Sequence, residues 1–329
     1  MRKYFLALVV LLIMLLFNSY FILKMPESSF EGTIPALNKK ESQIKDNLNK
    51  HVDFLANTIG QRNVYTLNSL KQSAKYISDK LAICNTNPVS QEYLIDQLSV
   101  SNVIGTKTTS TNSKGVIVIG AHYDTILDSP GANDNATGVA AMLELCRLLS
   151  KHNFNHTIKF VGFVNEEPPF FKTNKMGSYV FAKHLKENGI HVKGMLSLET
   201  IGAYYPEPNT QQYPPLLKKI YPNQGDFVAF ISNPTSSWLL KSMIKSFRQT
   251  SSFPSEGLMA PGSIQGVDWS DHWAFWQFGY PAIMVTDTAL FRYPYYHTHN
   301  DTHDKVDFES LARVVNGLEK VLIKLDKEI

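Results

Sequence analysis

Residues 115–150, GVIVIGAHYDTILDSPGANDNATGVAAMLELCRLLS, combine a short apolar run, a polar loop and an amphipathic segment. Residues 116–119 are β-branched and are followed by Gly120 and Ala121, a pattern typical of a strand covered on both faces. Apolar residues then recur at helical spacing from about Thr137 to Leu149. The stretch therefore predicts a buried strand, a loop at its carboxyl end and a helix that packs on the sheet.

The predicted loop carries one imidazole and two carboxylates. His122 and Asp124 lie two residues apart just past the strand, so an extended chain points both side chains to one side, and Asp134 follows the Pro130-Gly131 turn. Open α/β sheets place their functional groups at this edge, and rigid support around such groups favours a metal site. Two structural alternatives stay open: a hydrogen-bonded His122–Asp124 pair that closes the strand, and Asp134 as a helix N-cap.

Strands and helices alternate along most of the chain. Two amphipathic helices and a pair of strands come first, and further strands and helices follow; the predicted helices are 37–60, 67–84, 176–188, 236–248 and 308–325, and the predicted strands 89–95, 100–106, 157–164, 194–201, 227–232 and 282–285. This order predicts an α/β fold, a three-layer α/β/α sandwich with a mixed, mostly parallel central sheet and one antiparallel edge. The Pro-rich stretch 205–222 is interpreted as a rim loop.

The N-terminal segment differs from the rest in hydropathy. Residues 4–23, YFLALVVLLIMLLFNSYFIL, are almost uninterrupted apolar sequence behind Arg2 and Lys3, and they reach the roughly 20 residues that cross a bilayer. We therefore expect a transmembrane signal-anchor at 1–24, a linker at 25–36 and a folded domain at 37–329. With Arg2 and Lys3 inside, the domain is expected to be exported, periplasmic or extracellular, and to be secreted if the segment is cleaved.

Composition limits the classes of function. The 329 residues are 43% hydrophobic and 19% charged, which is ordinary for a globular protein. The formal charge of +3 equals the contribution of Arg2, Lys3 and Lys24, so the remainder carries no net charge and no nucleic-acid partner is expected. The two cysteines, Cys84 and Cys146, are too few for a disulfide framework and too isolated for a thiolate zinc site, and whether they form a disulfide with each other is left open.

Further candidate groups follow later strands. Glu166 and Glu167 end one predicted strand, Glu199 ends the next, and His297 lies in a polar loop before the last helix. Adjacent carboxylates at the end of an apolar strand repel each other unless a cation lies between them, and an unpaired buried acid is costly. Imidazoles and carboxylates without thiolates are typical of a catalytic zinc site. In this interpretation one glutamate of the pair binds metal and its neighbour takes a proton from water; a solvated pair in a loop is the alternative.

A serine-hydrolase interpretation is disfavoured. Ser270-Asp271-His272 suggests a catalytic triad, but the sequence contains no G-x-S-x-G nucleophile elbow and no Gly-rich phosphate loop.

In combination the motifs resemble the dinuclear zinc aminopeptidase family, whose relatives include glutamate carboxypeptidases, glutaminyl cyclases and the inert ectodomains of transferrin receptors. GAHYDT, GANDNATG, NEE, LSLET, SDHWAF and YYHTHNDT occur in the family's order between about residues 48 and 320. The resemblance implies a metal-ligand set of His122, Asp134 (bridging), Glu167, Glu199 and His297. His297 is chosen over His299 because the family's last histidine precedes the threonine of an H-T-x-x-D-T run.

The resemblance also implies the remaining roles. Glu166 is expected as general base, Asp124 as the acceptor that orients His122, and Asp271 and Asp301 as supporting groups. Many members have aspartate where this chain has Glu199, so the longer side chain changes how a second zinc would be held.

The activity that the family implies is that of a zinc aminopeptidase, which removes N-terminal residues from peptides with two zinc ions and a bridging water. Three alternatives stay open: a glutaminyl-peptide cyclase with one zinc, a carboxypeptidase for acidic peptides, and a non-catalytic ectodomain. The carboxypeptidase would need arginines in its pocket, and only Arg292 lies near the predicted site in sequence.

Overall fold

The computed structural model describes residues 24–108, 113–215 and 217–329, and a central sheet dominates it. The strands are β1 (Val89–Ile95), β2 (Leu98–Lys107), β3 (Val116–His122), β4 (Thr157–Phe163), β5 (Val192–Glu199), β6 (Tyr205–Pro208), β7 (Gln224–Gly225), β8 (Val228–Ser232), β9 (Ser255–Met259) and β10 (Ala282–Thr286). The α-helices are α1 (Lys39–Asp53), α2 (Leu67–Ile83), α3 (Gly138–Leu149), α4 (Gly177–Glu187), α5 (Ser237–Thr250), α6 (His272–Gln277) and α7 (Phe308–Glu328).

Eight strands form one mixed sheet in the order β1-β2-β4-β3-β5-β10-β8-β9, and β6 and β7 form a separate hairpin. The central strands β4, β3, β5 and β10 are parallel, as are β8 and β9. The pairs β1–β2, β2–β4 and β10–β8 are antiparallel. The predicted mixed, mostly parallel sheet with an antiparallel first pair is confirmed, and the β10–β8 junction adds an antiparallel pair that was not predicted.

Helices cover both faces of the sheet. Along β3, Ile117 and Ile119 belong to the core that contains α1, α2, α3, α5 and α7, whereas Val116 and Val118 face a second core that contains α4 and α6. Every residue of β3 is buried, as expected for a strand between two helical layers. Cys84 and Cys146 lie in the first core as free thiols.

The main differences from the prediction are short elements. Strand β9 and helix α6 were not predicted, and the predicted rim loop contains the β6–β7 hairpin. The five residues of β9, SEGLM, include a glycine and a glutamate, and its strand conformation depends on pairing with β8. The six residues of α6 are too few to establish a helical period. Such segments are set by tertiary contacts more than by local propensity.

The predicted linker lies on the surface of the domain. Arg248 Nη1 donates to the main-chain oxygen of Glu27 at 2.8 Å, Ser255 N donates to Ser29 Oγ at 2.9 Å, and Arg313 Nη2 donates to the main-chain oxygen of Pro35 at 2.9 Å. The predicted anchor lies outside the described residues except for Lys24. Within 24–108, 113–215 and 217–329, none of the helices combines the length and the apolar character needed to cross a bilayer.

A buried cation that sequence analysis did not identify connects the segment between α1 and α2 to the loop after β3. Arg62 is fully buried and donates hydrogen bonds to five main-chain carbonyl oxygens, those of Leu55, Gly60, Tyr123, Pro130 and Gly131. Burial lowers the pKa of Arg62 to about 10, so the guanidinium stays charged at neutral pH. These bonds position the loop that carries Asp124.

His51 makes the interface between α1 and α2 sensitive to pH. Its Nδ1 lies 2.7 Å from Tyr76 Oη, and burial, with Lys80 nearby, lowers the pKa of His51 to about 4. Because the unfolded chain has the higher histidine pKa, about 6.5, it takes up the proton first as pH falls. His51 therefore contributes stability that is complete above about pH 6.5 and is lost as pH decreases towards 4.

We predict that His51→Gln, which retains a hydrogen-bonding side chain without titrating, flattens this dependence. Between pH 7 and pH 4 the unfolding free energy of the wild type should decrease by about 3 kcal/mol more than that of the variant, at about 1.4 kcal/mol per pH unit for one proton. Urea unfolding at several pH values measures the difference. Parallel curves for the two proteins would contradict the assignment.

Candidate metal centre

The ends of β3, β4 and β5 meet the loops before α3 and α7 at one point. Parallel strands bring their carboxyl ends to one edge of the sheet, and the structure places all five predicted ligands there: His122, Asp134, Glu167, Glu199 and His297. The sequence-predicted residues are therefore brought together; their role as ligands stays a prediction.

Asp134 lies between two pairs of side chains. Its Oδ1 is 3.3 Å from His122 Nε2, and its Oδ2 is 3.1 Å from His297 Nε2. On the first side Glu199 Oε2 is 3.2 Å from His122 Nε2, and on the second Glu167 Oε2 is 3.3 Å from His297 Nε2. The five residues thus divide into two sets that share Asp134, one with His122 and Glu199 and one with His297 and Glu167.

The chemistry of these groups fits divalent metal ions. Among the described residues, His122 Nε2, both carboxylate oxygens of Asp134 and Glu167 Oε1 are buried without a hydrogen-bond partner. Buried polar groups are normally satisfied, and buried charges are paired or coordinate metals. Nitrogen and oxygen donors without thiolates are the set that catalytic zinc sites use. The residues present therefore fit the zinc that the resemblance implies.

The electrostatics of the cluster are those of closely packed acids and imidazoles. Burial, with Asp134 nearby, raises the pKa of Glu167 to about 7, and burial raises the pKa of Glu199. Burial alone would lower the pKa of His122, but Glu199 and Glu166 raise it well above its usual range. Burial likewise acts to raise the pKa of Asp134, yet the imidazoles of His122 and His297 beside it hold it below its usual range. The carboxylates around His122 and His297 therefore favour positive charge at this point, from a protonated imidazole or from a divalent cation.

Glu166, the predicted general base, lies inside the same cluster. Its Oε2 is 3.8 Å from His122 Nε2, and its side chain is 8% exposed. Burial raises the pKa of Glu166 well above its usual range, although His122 opposes the effect. A carboxylate with a raised pKa is better suited to accept and return a proton near neutral pH.

Two buried aspartates hold the loops that carry the ligands. Asp124 accepts hydrogen bonds from the main-chain nitrogens of Glu166 and Glu167 at 3.1 and 3.0 Å. Asp301 accepts hydrogen bonds from Asn133 N and Asp134 N at 2.8 and 2.9 Å. Two consecutive amides on one carboxylate restrict the orientation of a loop, so each aspartate positions a ligand-bearing segment.

The predicted contact between Asp124 and His122 is weaker than expected. His122 Nδ1 lies 3.6 Å from Asp124 Oδ1 but 3.2 Å from the main-chain oxygen of Asp124. The main chain of Asp124 is thus the closer acceptor for His122. Its carboxylate is directed to the amides at the end of β4, and the sequence contained no direct signal for this contact.

The geometry disfavours two alternative roles, Asp134 as a helix N-cap and Ser270 as a catalytic nucleophile. The helix α3 begins without a side-chain N-cap bond, so Asp134 does not act as its cap. Ser270 Oγ donates to Glu199 Oε2 at 2.7 Å, while His272 Nε2 lies 2.8 Å from the main-chain oxygen of Val267. Ser270 therefore supports a predicted metal ligand and does not contact His272, which disfavours a serine triad.

The histidine-rich loop contributes one residue to the cluster. His297 is 32% exposed at its side chain and stacks on the ring of Tyr296 at 3.9 Å. His299 is exposed, and His303 packs on Phe308. The choice of His297 over its neighbours agrees with the geometry, and Tyr296 is a site residue that sequence analysis did not identify.

An apolar cavity opens beside the cluster. It encloses about 740 Å³, including its open mouth. We use the name metal cluster for the five candidate ligands, His122, Asp134, Glu167, Glu199 and His297. Glu199 and Tyr296 form the part of the cavity lining nearest the metal cluster. Its walls include the buried side chains of Phe227, Ala229, Ile231, Val267 and Met284.

Two of the polar groups along the cavity bond to the protein itself. Tyr221 Oη donates to the main-chain oxygen of Gly257 at 2.8 Å, and Glu256 lies 3.6 Å from Arg248 Nη2. The lining is therefore predominantly apolar.

Arg292 does not supply the anion-binding pocket that a carboxypeptidase for acidic peptides would need. It is buried outside the cavity lining, where its guanidinium donates to Gln211 Oε1 and to the main-chain oxygens of Ala203 and Phe227. Its guanidinium also lies 4.5 Å from the centre of the Phe227 ring. Arg292 thus holds the wall of the cavity together.

Comparisons with known proteins identify the family of this chain. The sequence pattern of peptidase family M28 matches residues 102–322. YfbL of Escherichia coli strain K12 is 34% identical over 286 residues, which cover 84% of this chain and 87% of that protein. A probable zinc metalloprotease of Pyrenophora teres f. teres is 27% identical over 251 residues, which cover 66% of this chain and only 50% of that protein. The chain thus spans about half the length of this fungal relative.

Solved structures share the fold. A zinc aminopeptidase from Bacillus subtilis superposes with a TM-score of 0.68 at 15% identity, covering 84% of this chain and 94% of that one. A glutaminyl cyclase from Fimbriiglobus ruber superposes with a TM-score of 0.64 at 21% identity, covering 90% of this chain and 98% of that one. At these identities the likeness concerns the fold alone.

The family match covers more than half of the chain and includes the segments that carry His122, Asp134, Glu166, Glu167, Glu199 and His297. The chain therefore belongs to peptidase family M28, and the prediction that it is a metallopeptidase, a hydrolase of peptide bonds, is confirmed at the level of the family.

Proposed function

We propose that this chain is a zinc aminopeptidase whose centre holds two zinc ions. The observation that carries the proposal is the position of Asp134, whose two oxygens face two separate histidine–carboxylate pairs. His122 and Glu199 would hold one ion, His297 and Glu167 the other, and Asp134 would bridge them. A site with a single ion would leave one of these buried pairs without a cation.

The metal ions and the side chains around the centre would have different roles in the reaction. Zinc, when bound, supplies Lewis acidity that polarises a carbonyl and makes water a better nucleophile at neutral pH. Glu166 accepts the proton of the attacking water and returns it to the leaving amine. Asp124 and Asp301 hold the segments that carry Glu166, Glu167 and Asp134 through main-chain amides. The reaction is the hydrolysis of a peptide bond.

The cavity beside Glu199 supports a preference for substrates with a large apolar N-terminal side chain. Its walls are aliphatic and aromatic, and Glu256 is paired with Arg248, so a charged side chain would lose its hydration without gaining a free partner. The peptide would place its N-terminal residue in this cavity and its scissile carbonyl beside Asp134.

The placement of the domain outside the cytoplasmic membrane is also part of the proposal. It is supported by the apolar run at 4–23 behind Arg2 and Lys3, which reaches the length of a signal-anchor.

We predict that Glu166→Gln lowers kcat for an aminoacyl chromogenic amide by about 10²- to 10⁴-fold, because an amide cannot take up the proton. Zinc content should be the same in the variant and the wild type, since Glu166 is not assigned as a ligand. Steady-state kinetics and elemental analysis measure the two quantities. Full turnover by the zinc-loaded variant would reject Glu166 as the base.

We predict two zinc ions per wild-type chain, one in His297→Ala and one in Glu199→Ala, because each substitution removes a ligand from only one of the two sets. His299→Ala is the matched control: its side chain is exposed two residues from His297, and it should retain both ions. Elemental analysis after dialysis gives the counts. A single ion in the wild type would instead favour the cyclase alternative.

We predict that Ala229→Phe, which fills the cavity, lowers kcat/KM for leucyl and phenylalanyl amides about tenfold or more and changes the alanyl amide little. The alanyl substrate and an unchanged zinc content are the internal controls for folding. Equal losses with all three amides would show that the cavity does not receive the N-terminal side chain.

A further inference from the structure

The edge of the sheet opposite the metal cluster has a distinct surface chemistry. Because β3, β4, β5 and β10 run parallel, the residues that precede these strands form the edge farthest from the ligands. Helices α3, α4 and α7 end towards the same edge, as the bond from Asn155 N, just before β4, to Asp326 of α7 illustrates.

Lysines dominate this edge and the helix surface next to it. We call this surface the lysine face and define it by the four exposed or partly exposed lysines that line two adjoining grooves there, Lys24, Lys193, Lys241 and Lys245. The acids that line the same grooves are Glu27 and Glu328. The excess of positive charge is local, because residues 25–329 carry no net formal charge.

An exposed tryptophan lies within the lysine face. Trp238 is 45% exposed, and Lys241 and Lys245 follow it on α5 at spacings that place all three on one side of the helix. Trp238 and Lys193 line one shallow groove, which adjoins a second groove that contains Lys24. Tryptophan is enriched at the headgroup level of bilayers, and clustered lysines are attracted to anionic lipids.

The described chain begins at this face and is attached to it. Lys24 lies beside Lys241 and Lys245, and Met25 packs against the hydrophobic core. Arg248 donates to the main-chain oxygens of Pro26 and Glu27 at 3.2 and 2.8 Å. The apolar run 4–23 therefore leads into the lysine face, and the residues that follow it are held on the domain and not in a free tether.

We propose that the lysine face and Trp238 lie against an anionic lipid bilayer, so that the metal cluster faces away from the membrane. The inference rests on the anchoring part of the proposed function and adds an orientation to it. Lysine side chains would meet anionic headgroups, and the indole of Trp238 would enter the interfacial region. A soluble polyanion would match the lysines but would give the exposed indole no apolar surroundings.

The test uses the full chain in vesicles of brominated phosphatidylcholine with and without brominated phosphatidylglycerol, with tryptophan fluorescence as the readout. Bromine on the acyl chains quenches indoles that enter the membrane interface. Trp269, Trp273 and Trp276 lie around the cavity and α6, so the difference between wild type and Trp238→Phe isolates the signal of Trp238. The fluorescence of wild type minus that of Trp238→Phe is the signal of Trp238. We expect this signal to be at least twofold lower in vesicles with brominated phosphatidylglycerol than in vesicles of brominated phosphatidylcholine alone.

Charge reversal provides the second arm. Lys241→Glu/Lys245→Glu should abolish the phosphatidylglycerol-dependent quenching of Trp238. The matched control is Lys50→Glu/Lys71→Glu, which changes the net charge equally at exposed positions on α1 and α2 and should behave like wild type. Hydrolysis of a soluble aminoacyl amide should be unchanged in all these variants, because none of the substituted residues lies at the site, and this shows that they are folded.

Three outcomes would overturn the orientation: Trp238 without quenching, equal quenching in both lysine double variants, or a full chain that does not sediment with vesicles. A combination of two results would also overturn it. In this combination a soluble polyanion added before the vesicles prevents the quenching, and Lys241→Glu/Lys245→Glu is quenched like wild type. Absence of hydrolysis by the wild type would reject the peptidase proposal and leave the fluorescence result to decide the orientation separately.

Discussion

The burial of negative charge at one edge of the sheet is the constraint on which the rest of the structure depends. Glu166, Glu167 and Glu199 are each less than 9% exposed and lie around Asp134. Such a group is tolerable only if cations and hydrogen-bond donors compensate it. Two imidazoles supply part of the compensation, main-chain amides and Arg62 supply more around the cluster, and the unpaired oxygens of Asp134 leave room for divalent ions.

The residues that follow the apolar runs in the sequence predicted much of the arrangement at this edge of the sheet. An apolar run followed by a histidine or an acid appears three times, at His122, Glu167 and Glu199, and parallel strands must bring those ends to one edge. The layers, the sheet type and the convergence of the five residues follow from that pattern. The division into two sets around Asp134 does not, because it depends on side-chain positions that spacing in the sequence does not set.

What the sequence left undetermined depends on contacts between distant segments. The guanidinium of Arg62 donates to main-chain carbonyls, which have no signature in a side-chain pattern. The main-chain amides that bond to Asp124 and Asp301 likewise have no signature in the sequence. Strand β9 has little strand propensity of its own and is ordered by β8. Ser270 was considered for a triad because of its neighbours in sequence, whereas its contact with Glu199 shows that the fold gives it a different partner.

The bonds of Asp301 join parts of the chain that are 167 and 168 residues apart, since this side chain near the start of α7 holds the amides of Asn133 and Asp134. During synthesis the ribosome releases the segment around Asp134 long before the one around Asp301. A nascent chain can form β3 and α3 early, but the loop between them acquires its final shape only after the C-terminal part has emerged. The candidate metal centre is therefore complete only when the C-terminal part of the chain is present.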